Sequence, residues 1–304
     1  MTIVAEAPRR TASGSRAEHA DQASLVIQGR DRTGIVAAVT AVLGRHGANI
    51  ESLDQYSDDP QGGAFFQRTV FRLADLQVAL PQLDAELTEV LGTDFDLEFT
   101  LRDMSKPKRV AIFASKSDHC LLDLLWRHRR GELPVDIAMV ISNHPDTAEE
   151  VRSFGIPFFH VPSAGADKSA AEAEHLRLLR GNVDFVVLAR YMQFLSADFI
   201  AQAGVPIINI HHSFLPAFIG AGPYAKAKGR GVKLIGATAH YVTEDLDEGP
   251  IIEQDVVRVT HAETAADLQR RGADVERAVL SRAVAWHAED RVLRHENHTI
   301  VFAS

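Results

Sequence analysis

The sequence predicts an α/β chain of two domains, a ferredoxin-like βαββαβ unit followed by a larger, doubly wound and mostly parallel α/β unit. Three observations carry that expectation. The charge balance changes near residue 105, the first hundred residues alternate strand and helix in split-sandwich order, and short apolar runs of the kind buried on both faces of a parallel sheet punctuate the remainder. Residues 1–104 contain no lysine and carry nine arginines against 16 acids, whereas residues 105–304 carry 23 bases against 25 acids. Met104-Ser-Lys-Pro-Lys108 lies on the break, and Pro107 favours an extended residue before it, so residues 104–108 are read as a linker. Residues 1–22 form a polar leader with Arg9, Arg10 and Arg16; Glu6, Glu18 and Asp21 argue against a transit peptide, and a disordered tail is expected. The two folded domains are then residues 23–103 and 109–304.

In the first domain, Ser24 to Gln28 reads as a short apolar strand. Ile35, Val39, Val42, Leu43 and His46 recur at helical spacing, and Gly47 follows as a stop. Asn49 to Ser57 and Ala64 to Leu73 suit an antiparallel pair across an Asp-Asp-Pro-Gln-Gly-Gly turn. Leu76, Leu80, Leu83, Leu87, Val90 and Leu91 mark a second helix. Phe95, Leu97, Phe99 and Leu101 then alternate with polar residues as a strand with one wet face. In the second domain, Val110 to Ala114, Ile137 to Ile141, Pro157 to Val161, Phe185 to Ala189 and Ile207 to Ile210 are expected parallel strands, separated mostly by helical segments. A doubly wound sheet binds its ligand beyond the strand C-termini, so the chemistry is sought just after these runs.

Composition narrows the function. No apolar run approaches the roughly 20 residues that span a bilayer, and no secretory signal is legible, so a cytoplasmic protein without membrane contact is expected. A single cysteine, Cys120, allows no internal disulfide and no thiolate-rich zinc site. The net charge of −9 and the absence of a basic block argue against nucleic-acid binding. Gly220-x-Gly222 and Gly229-x-Gly231 lack the context of a dinucleotide fingerprint, and no phosphate loop ending in Gly-Lys-Ser/Thr occurs, so no nucleotide cofactor is expected. Cys120, beside His119 and ahead of Leu121, Leu122, Leu124 and Leu125, reads as a packing residue.

The densest constellation is Ile207-Ile-Asn-Ile-His-His-Ser-Phe-Leu-Pro-Ala-Phe218, a buried strand running into polar side chains. Asn209 and His211 are two apart, which on an extended segment places an amide and an imidazole on one face. His212 is expected to point away, as a structural or exposed residue. A second candidate is the strand containing His240 and the acidic loop after it, where four carboxylates fall between Glu244 and Glu248 and Gly249-Pro250 turns the chain. Such a cluster is commonly a solvated turn, but flanking apolar strands can draw one carboxylate into a desolvated cleft and raise its pKa. Spacing alone does not choose between Asp245 and Asp247. His211, His212 and Asp247 match no familiar metal-ligand spacing, and no metal is expected.

Taken together, IINIHHSFLPAF and GATAHYVTEDLDEGPII resemble the folate-dependent formyltransferase catalytic domain, with its Asn-x-His, a following His, and an Asp before Gly-Pro. SKSDHCLLDLLWRHRRGEL (115–133), ISNHPD (141–146), LARYMQFLS (188–196) and the stretch from 216 to 256 resemble, within that superfamily, the formyltetrahydrofolate deformylases. GRDRTGIVAAVTAVLGRHGANI (29–50) is similar to the signature of the N-terminal ACT domain those enzymes carry. The resemblance implies Asn209, His211 and Asp247 as catalytic residues and His240 as their support. It also implies a wall for the pterin ring at segment 190–195, with Met192, Gln193 and Leu195, partly through backbone groups. The implied reaction is hydrolysis of 10-formyltetrahydrofolate to formate and tetrahydrofolate, supplying formate for purine synthesis and balancing the one-carbon folate pool, without a cofactor. A homo-oligomer, with a tetramer as one expected form, belongs to the same expectation. Three positions depart from the family pattern: Gly29 where cysteine is common, Gly222 where a larger residue is usual, and Ala273 within a usual Gly-Arg-Asp.

The chemistry accounts for these residue types. Water attack on a formamide passes through a tetrahedral intermediate whose oxygen gains charge, so Asn209 and His211 would supply donors, and Asp247, with a raised pKa, would shuttle protons. The alternative is formyl transfer to an amine; Ala114-Ser-Lys-Ser-Asp-His119, after the first strand of the second domain, lacks the glycines of a phosphate cradle. A non-catalytic amino-acid sensor would have no reason to keep Asn209, His211 and Asp247 together. Asp31-Arg-Thr-Gly34 opens the first helix, where Gly34, unpaired helix N–H groups and the Asp31 carboxylate could receive a free amino acid. The ACT resemblance adds Asn49, at a subunit interface, and implies methionine or glycine as the effector. The bland counterpart is a tight turn built by Asp31 and Gly34.

Overall fold

The computed structural model describes residues 19–59, 61–163, 168–217 and 222–303. Residues 1–18 of the polar leader lie outside the described residues, and Gln22, the last residue assigned to the leader, already belongs to the first strand. The chain divides into two units. The first runs to Pro107 and takes in Glu289–Leu293 and the described residues from Ile300; the second holds Lys108–Ala288 and Arg294–Thr299.

The first unit contains β1 (Gln22–Arg30), α1 (Ile35–Arg45), β2 (Asn49–Ser57), β3 (Ala64–Arg72), α2 (Leu76–Leu87) and β4 (Leu97–Asp103). After α2 the helix widens into a π-type turn at Thr88–Asp94, which carries the periodicity on to Leu91. The sheet order is β2-β3-β1-β4, with β1 antiparallel to both neighbours. This is the expected βαββαβ arrangement. Leu25 and Ile27 of β1 meet Ile35, Val39 and Val42 of α1 and Leu76 and Leu83 of α2 in the core. The other sheet face is covered as well. Ser24 Oγ donates to Asp290 Oδ2 at 2.7 Å, the Arg68 guanidinium donates to the Glu289 carbonyl, and Arg102 Nε lies 2.6 Å from the same Asp290 oxygen. These contacts place Glu289–Leu293 with the first unit, a departure from the uninterrupted 109–304 domain read from the sequence. Polar residues that alternate with a core face look solvent-bound in sequence, yet Ser24, Gln67, Arg68 and Thr69 are buried.

The second unit contains β5 (Lys108–Ala114), α3 (His119–Arg129), β6 (Val135–Ser142), α4 (Ala148–Ser153), β7 (Phe158–His160), α5 (Lys168–Leu179), β8 (Phe185–Ala189), α6 (Ala197–Ala203) and β9 (Ile207–His211). It continues through α7 (Pro223–Arg230), β10 (Leu234–Tyr241), β11 (Ile251–Arg258) and α8 (Ala265–Ala288). A short hairpin, β12 (Val292–His295) and β13 (His298–Val301), follows in the chain. The sheet order is β11-β10-β9-β8-β5-β6-β7; β5 to β9 pair in parallel, and β10 is antiparallel to β9 and β11. All five apolar runs are strands, with β7 shortened. The chain builds outward from β5 to β7, returns to β8 on the other side of β5, and so places the topological switch between β5 and β8. At that crevice Met192 N–H donates to Ser115 Oγ at 3.1 Å, joining the segments that leave the two strands. Among the described residues, no helix is long and apolar enough to cross a membrane.

Candidate active site

Strand register builds the site. In the antiparallel β9–β10 pair, Asn209 stands opposite His240 and His211 opposite Thr238. Asn209 Nδ2 lies 3.2 Å from His240 Nε2. His240 Nδ1 donates to the Tyr241 carbonyl at 3.0 Å, since a carbonyl can only accept, and this bond fixes the ring with Nε2 toward Asn209. The loop after β10 folds back over the strand, and Gly249 permits it: a Cβ there would lie 1.8 Å from the Tyr241 carbonyl oxygen. Within that loop Asp247 adopts the left-handed conformation at φ 57°, which Asp tolerates better than most residues.

This geometry sets the Asp247 carboxylate between two imidazoles. Oδ2 is 3.2 Å from His211 Nδ1 and Oδ1 is 3.7 Å from His240 Nε2. Asp245 is exposed, and its carbonyl accepts from Thr243. Asn209, His211, His240 and Asp247 therefore converge. His211 Nε2 is buried and has no hydrogen-bond partner among the described residues.

The raised pKa expected for Asp247 is not found. Burial pushes its carboxyl up, but the His211 and His240 rings that face it outweigh burial and hold it well below the usual carboxylate range. His212 also departs from expectation. The chain leaves the extended conformation after His211, so strand alternation no longer applies; His212 lines the same cavity, and burial with the nearby Arg190 charge brings its pKa down to about 4.

The cavity measures about 340 Å³ and has Asn209, His211, His240 and Asp247 in its lining. Met192, Gln193 and Leu195 line it too, as do Arg190 and Phe194 of the same 190–195 segment, and Leu246, which the sequence reading did not single out. Met192, Phe194 and Leu246 are exposed apolar groups on its wall, a surface that suits a flat ring. Cys120 is buried and its thiol is pushed well above its ordinary pKa by burial, the state of a packing residue rather than a nucleophile.

In the first unit, Ser57 Oγ donates to the Asp31 carboxylate, and Gly34 caps α1 at φ 98°. Asn49 opens β2 while Ser57 closes it, so at about 3.3 Å per residue Asn49 and Asp31 lie at opposite ends of that strand.

Two family models match the chain: a formyl transferase model over residues 108–284 and an ACT domain model over residues 23–88. A formyltetrahydrofolate deformylase of Mycobacterium tuberculosis is 60% identical over 283 residues, covering 93% of this chain and 91% of that protein. The crystal structure of a formyltetrahydrofolate deformylase from Pseudomonas syringae superposes with a TM-score of 0.88 at 47% identity, covering 92% of this chain and 94% of that one. A glycinamide ribonucleotide transformylase from Symbiobacterium toebii matches with a TM-score of 0.61 at 33% identity, covering 66% of this chain and 96% of its own.

Proposed function

The chain belongs to the formyltetrahydrofolate deformylase family, and on that premise we propose that it hydrolyses 10-formyltetrahydrofolate to formate and tetrahydrofolate through Asn209, His211 and Asp247. The observation that carries the reading is the convergence of these three side chains and His240 on one cavity with apolar groups on its wall. The pterin ring rests against Met192, Gln193 and Leu195, and the formyl carbonyl faces Asn209 and His211. Asp247 takes a proton from water as its oxygen bonds to the formyl carbon, while N–H donors of Asn209 and His211 stabilise the developing oxyanion. Return of the proton to the departing nitrogen breaks the C–N bond and releases formate and tetrahydrofolate. A depressed pKa keeps Asp247 ionised in the free site; the folate, by displacing water, deepens the desolvation and makes the carboxylate a better base. These steps draw on side chains alone.

Incubation of the purified protein with 10-formyltetrahydrofolate and no amine is expected to yield formate and tetrahydrofolate in equal amounts. Turnover seen only when an amine is supplied would instead establish formyl transfer, the activity named for the transformylase relative.

The ACT unit is proposed to receive an amino-acid effector, methionine or glycine, at Asp31, Gly34 and Asn49. Because Asn49 and Asp31 occupy opposite ends of β2, a second copy must bring them together, which fits a homo-oligomer such as a tetramer. The exposed edge strand β2, with Leu53 and Tyr56 on its surface, supplies a face for it.

A further inference from the structure

Glu276, in the middle of α8, is a buried carboxylate at 2% exposure with no place in the steps above. Its Oε1 accepts from Tyr224 Oη at 2.6 Å; its Oε2 accepts from His119 Nε2 at 2.8 Å and lies 3.4 Å from Arg190 Nε. Gly272, one turn earlier on α8, makes room for the phenol, because a Cβ there would lie 1.9 Å from Tyr224 Oη. Arg190 follows β8 directly and adopts φ 61°, a left-handed conformation that costs a non-glycine residue on the order of 1–2 kcal/mol. Its guanidinium is largely buried, pairs with Glu276 and contributes to the wall of the catalytic cavity. The His212 ring bridges the two groups, with its centroid 5.1 Å from that of His211 and 6.1 Å from that of Tyr224.

His119, Cys120 and Glu276 bring one ligand atom each within 4.8 Å of one another, a spacing that a metal ion could use. Arg190 argues against a cation there, since its guanidinium already lies against the oxygen that would bind the ion. The cluster is better understood as a filled space. His119 opens α3 just after β5, and Arg190 follows β8, so the network links the segments that leave the two strands of the switch. Its carboxylate accepts hydrogen bonds from two other segments and faces the Arg190 guanidinium of a third, whose Nε has no hydrogen-bond partner among the described residues.

From this we infer that Arg190, held in place by Glu276, closes the acceptor side of the formyl site, so that water but not an amine reaches the formyl carbon. Arg190 is then a specificity-determining residue and Glu276 a positioning residue. The inference rests on the hydrolase reading. It accounts for the left-handed Arg190, whose side chain a glycine at that favourable φ would not provide.

The test is a partition experiment with 10-formyltetrahydrofolate and a large excess of glycinamide, measuring formate and N-formylglycinamide by mass spectrometry. Wild type is expected to give formate alone. Arg190→Gly should divert product toward the formylated amine by on the order of 10-fold or more, and Glu276→Gln should shift the ratio in the same direction by less. The ratio reads the path of the formyl group independently of the rate, so slow variants are measured under single-turnover conditions. An unchanged ratio in Arg190→Gly overturns the inference; if that variant neither folds nor turns over, an unchanged ratio in Glu276→Gln overturns it. A wild type that makes no formate without amine would instead sink the hydrolase reading, and the two failures are distinct.

Discussion

Asp247 and Glu276 are two carboxylates of the same unit, both desolvated, both held below the usual carboxylate range, and they differ in what surrounds them. Glu276 sits on a helix, with a phenol, an imidazole and a guanidinium around its two oxygens. Asp247 sits on a loop over a cavity, with two imidazoles as its charge partners, one of which keeps a nitrogen unpartnered among the described residues. Burial pushes each carboxyl up. Partners pull it back, through His211 and His240 for Asp247, and through His119, Arg190 and Tyr224 for Glu276. A lowered pKa therefore does not distinguish a reactive carboxylate from a structural one; spare capacity beside a ligand-sized space does.

The sharpest way to break this contrast is Asp247→Asn, which keeps the shape and removes the base. Turnover should fall by about 10²–10⁴ while folate binding stays measurable, read by formate release and by fluorescence titration. Full activity in this variant, beside a dead Asp245→Asn, would move the role to the exposed neighbour. The stability effect has a defined sign. Because the folded pKa is depressed, the charged Asp247 stabilises the fold above the unfolded aspartate pKa of about 3.9, and that contribution is lost as pH falls through the folded value. The gap in melting temperature between the two proteins should thus be present at neutral pH and close on acidification.

Glu276→Ala tests the other half. Removing a buried carboxylate leaves Arg190 without its counter-charge and His119 without its hydrogen-bond acceptor, and stability should fall by about 3–5 kcal/mol in denaturant unfolding. Asp247→Asn should cost much less. Equal losses would mean that the catalytic loop is as deeply built into the fold as the helix.

Much of this was legible in the sequence, and the illegible part has a physical pattern. The apolar runs gave the parallel strands because burial on both faces leaves no room for polar alternation, and the two-residue spacing of Asn209 and His211 was visible for the same reason. Choosing Asp247 over Asp245 needed the family resemblance. The direction of its pKa shift was missed because the opposing imidazoles come from β9 and β10, which local sequence does not connect to the loop. Glu276 was invisible, because an acid within an amphipathic helix reads as solvated; Arg190 was legible only as part of the 190–195 segment, and nothing local announces its left-handed backbone. The C-terminal segment was assigned to the second domain because its partners, Ser24, Arg68 and Arg102, lie some two hundred residues earlier.

His175 extends the contrast to a polar group with no partner of either kind. It packs among Phe113, Tyr191 and Phe199, and neither ring nitrogen has a hydrogen-bond partner among the described residues. Burial lowers its pKa to about 4. The unfolded chain, with a histidine pKa near 6.5, binds the proton more readily, so stability should decline as pH falls from about 6.5 toward 4, by up to about 3 kcal/mol in all. His175→Leu should remove that component of the slope. Parallel unfolding curves at each pH decide it, and an identical slope in both proteins would mean that the ring finds a partner on protonation.

The smallest expected effect concerns a third carboxylate, Asp31, in the first unit. It accepts from Ser57 Oγ, while its backbone N–H donates to the Gly63 carbonyl at 2.8 Å. With one firm side-chain partner it is neither enclosed like Glu276 nor wedged between imidazoles like Asp247, so its oxygens can still accept from an ammonium group. Beside it, Gly34 opens α1 in a conformation that leaves the helix N–H groups uncovered by any side-chain cap, and a carboxylate complements them. An effector coupled to catalysis must bind the active and inactive arrangements with different affinities, and such couplings run about 1–3 kcal/mol, or roughly 5- to 150-fold. Methionine or glycine should accordingly change the rate of formate release from wild type within that range. Asp31→Ala should abolish the change and keep the basal rate, because no step of the hydrolysis uses it. Flat titrations of wild type with both amino acids would leave Asp31 as a turn-building residue tied to Ser57, and would reduce the ACT unit to a structural or oligomerising role.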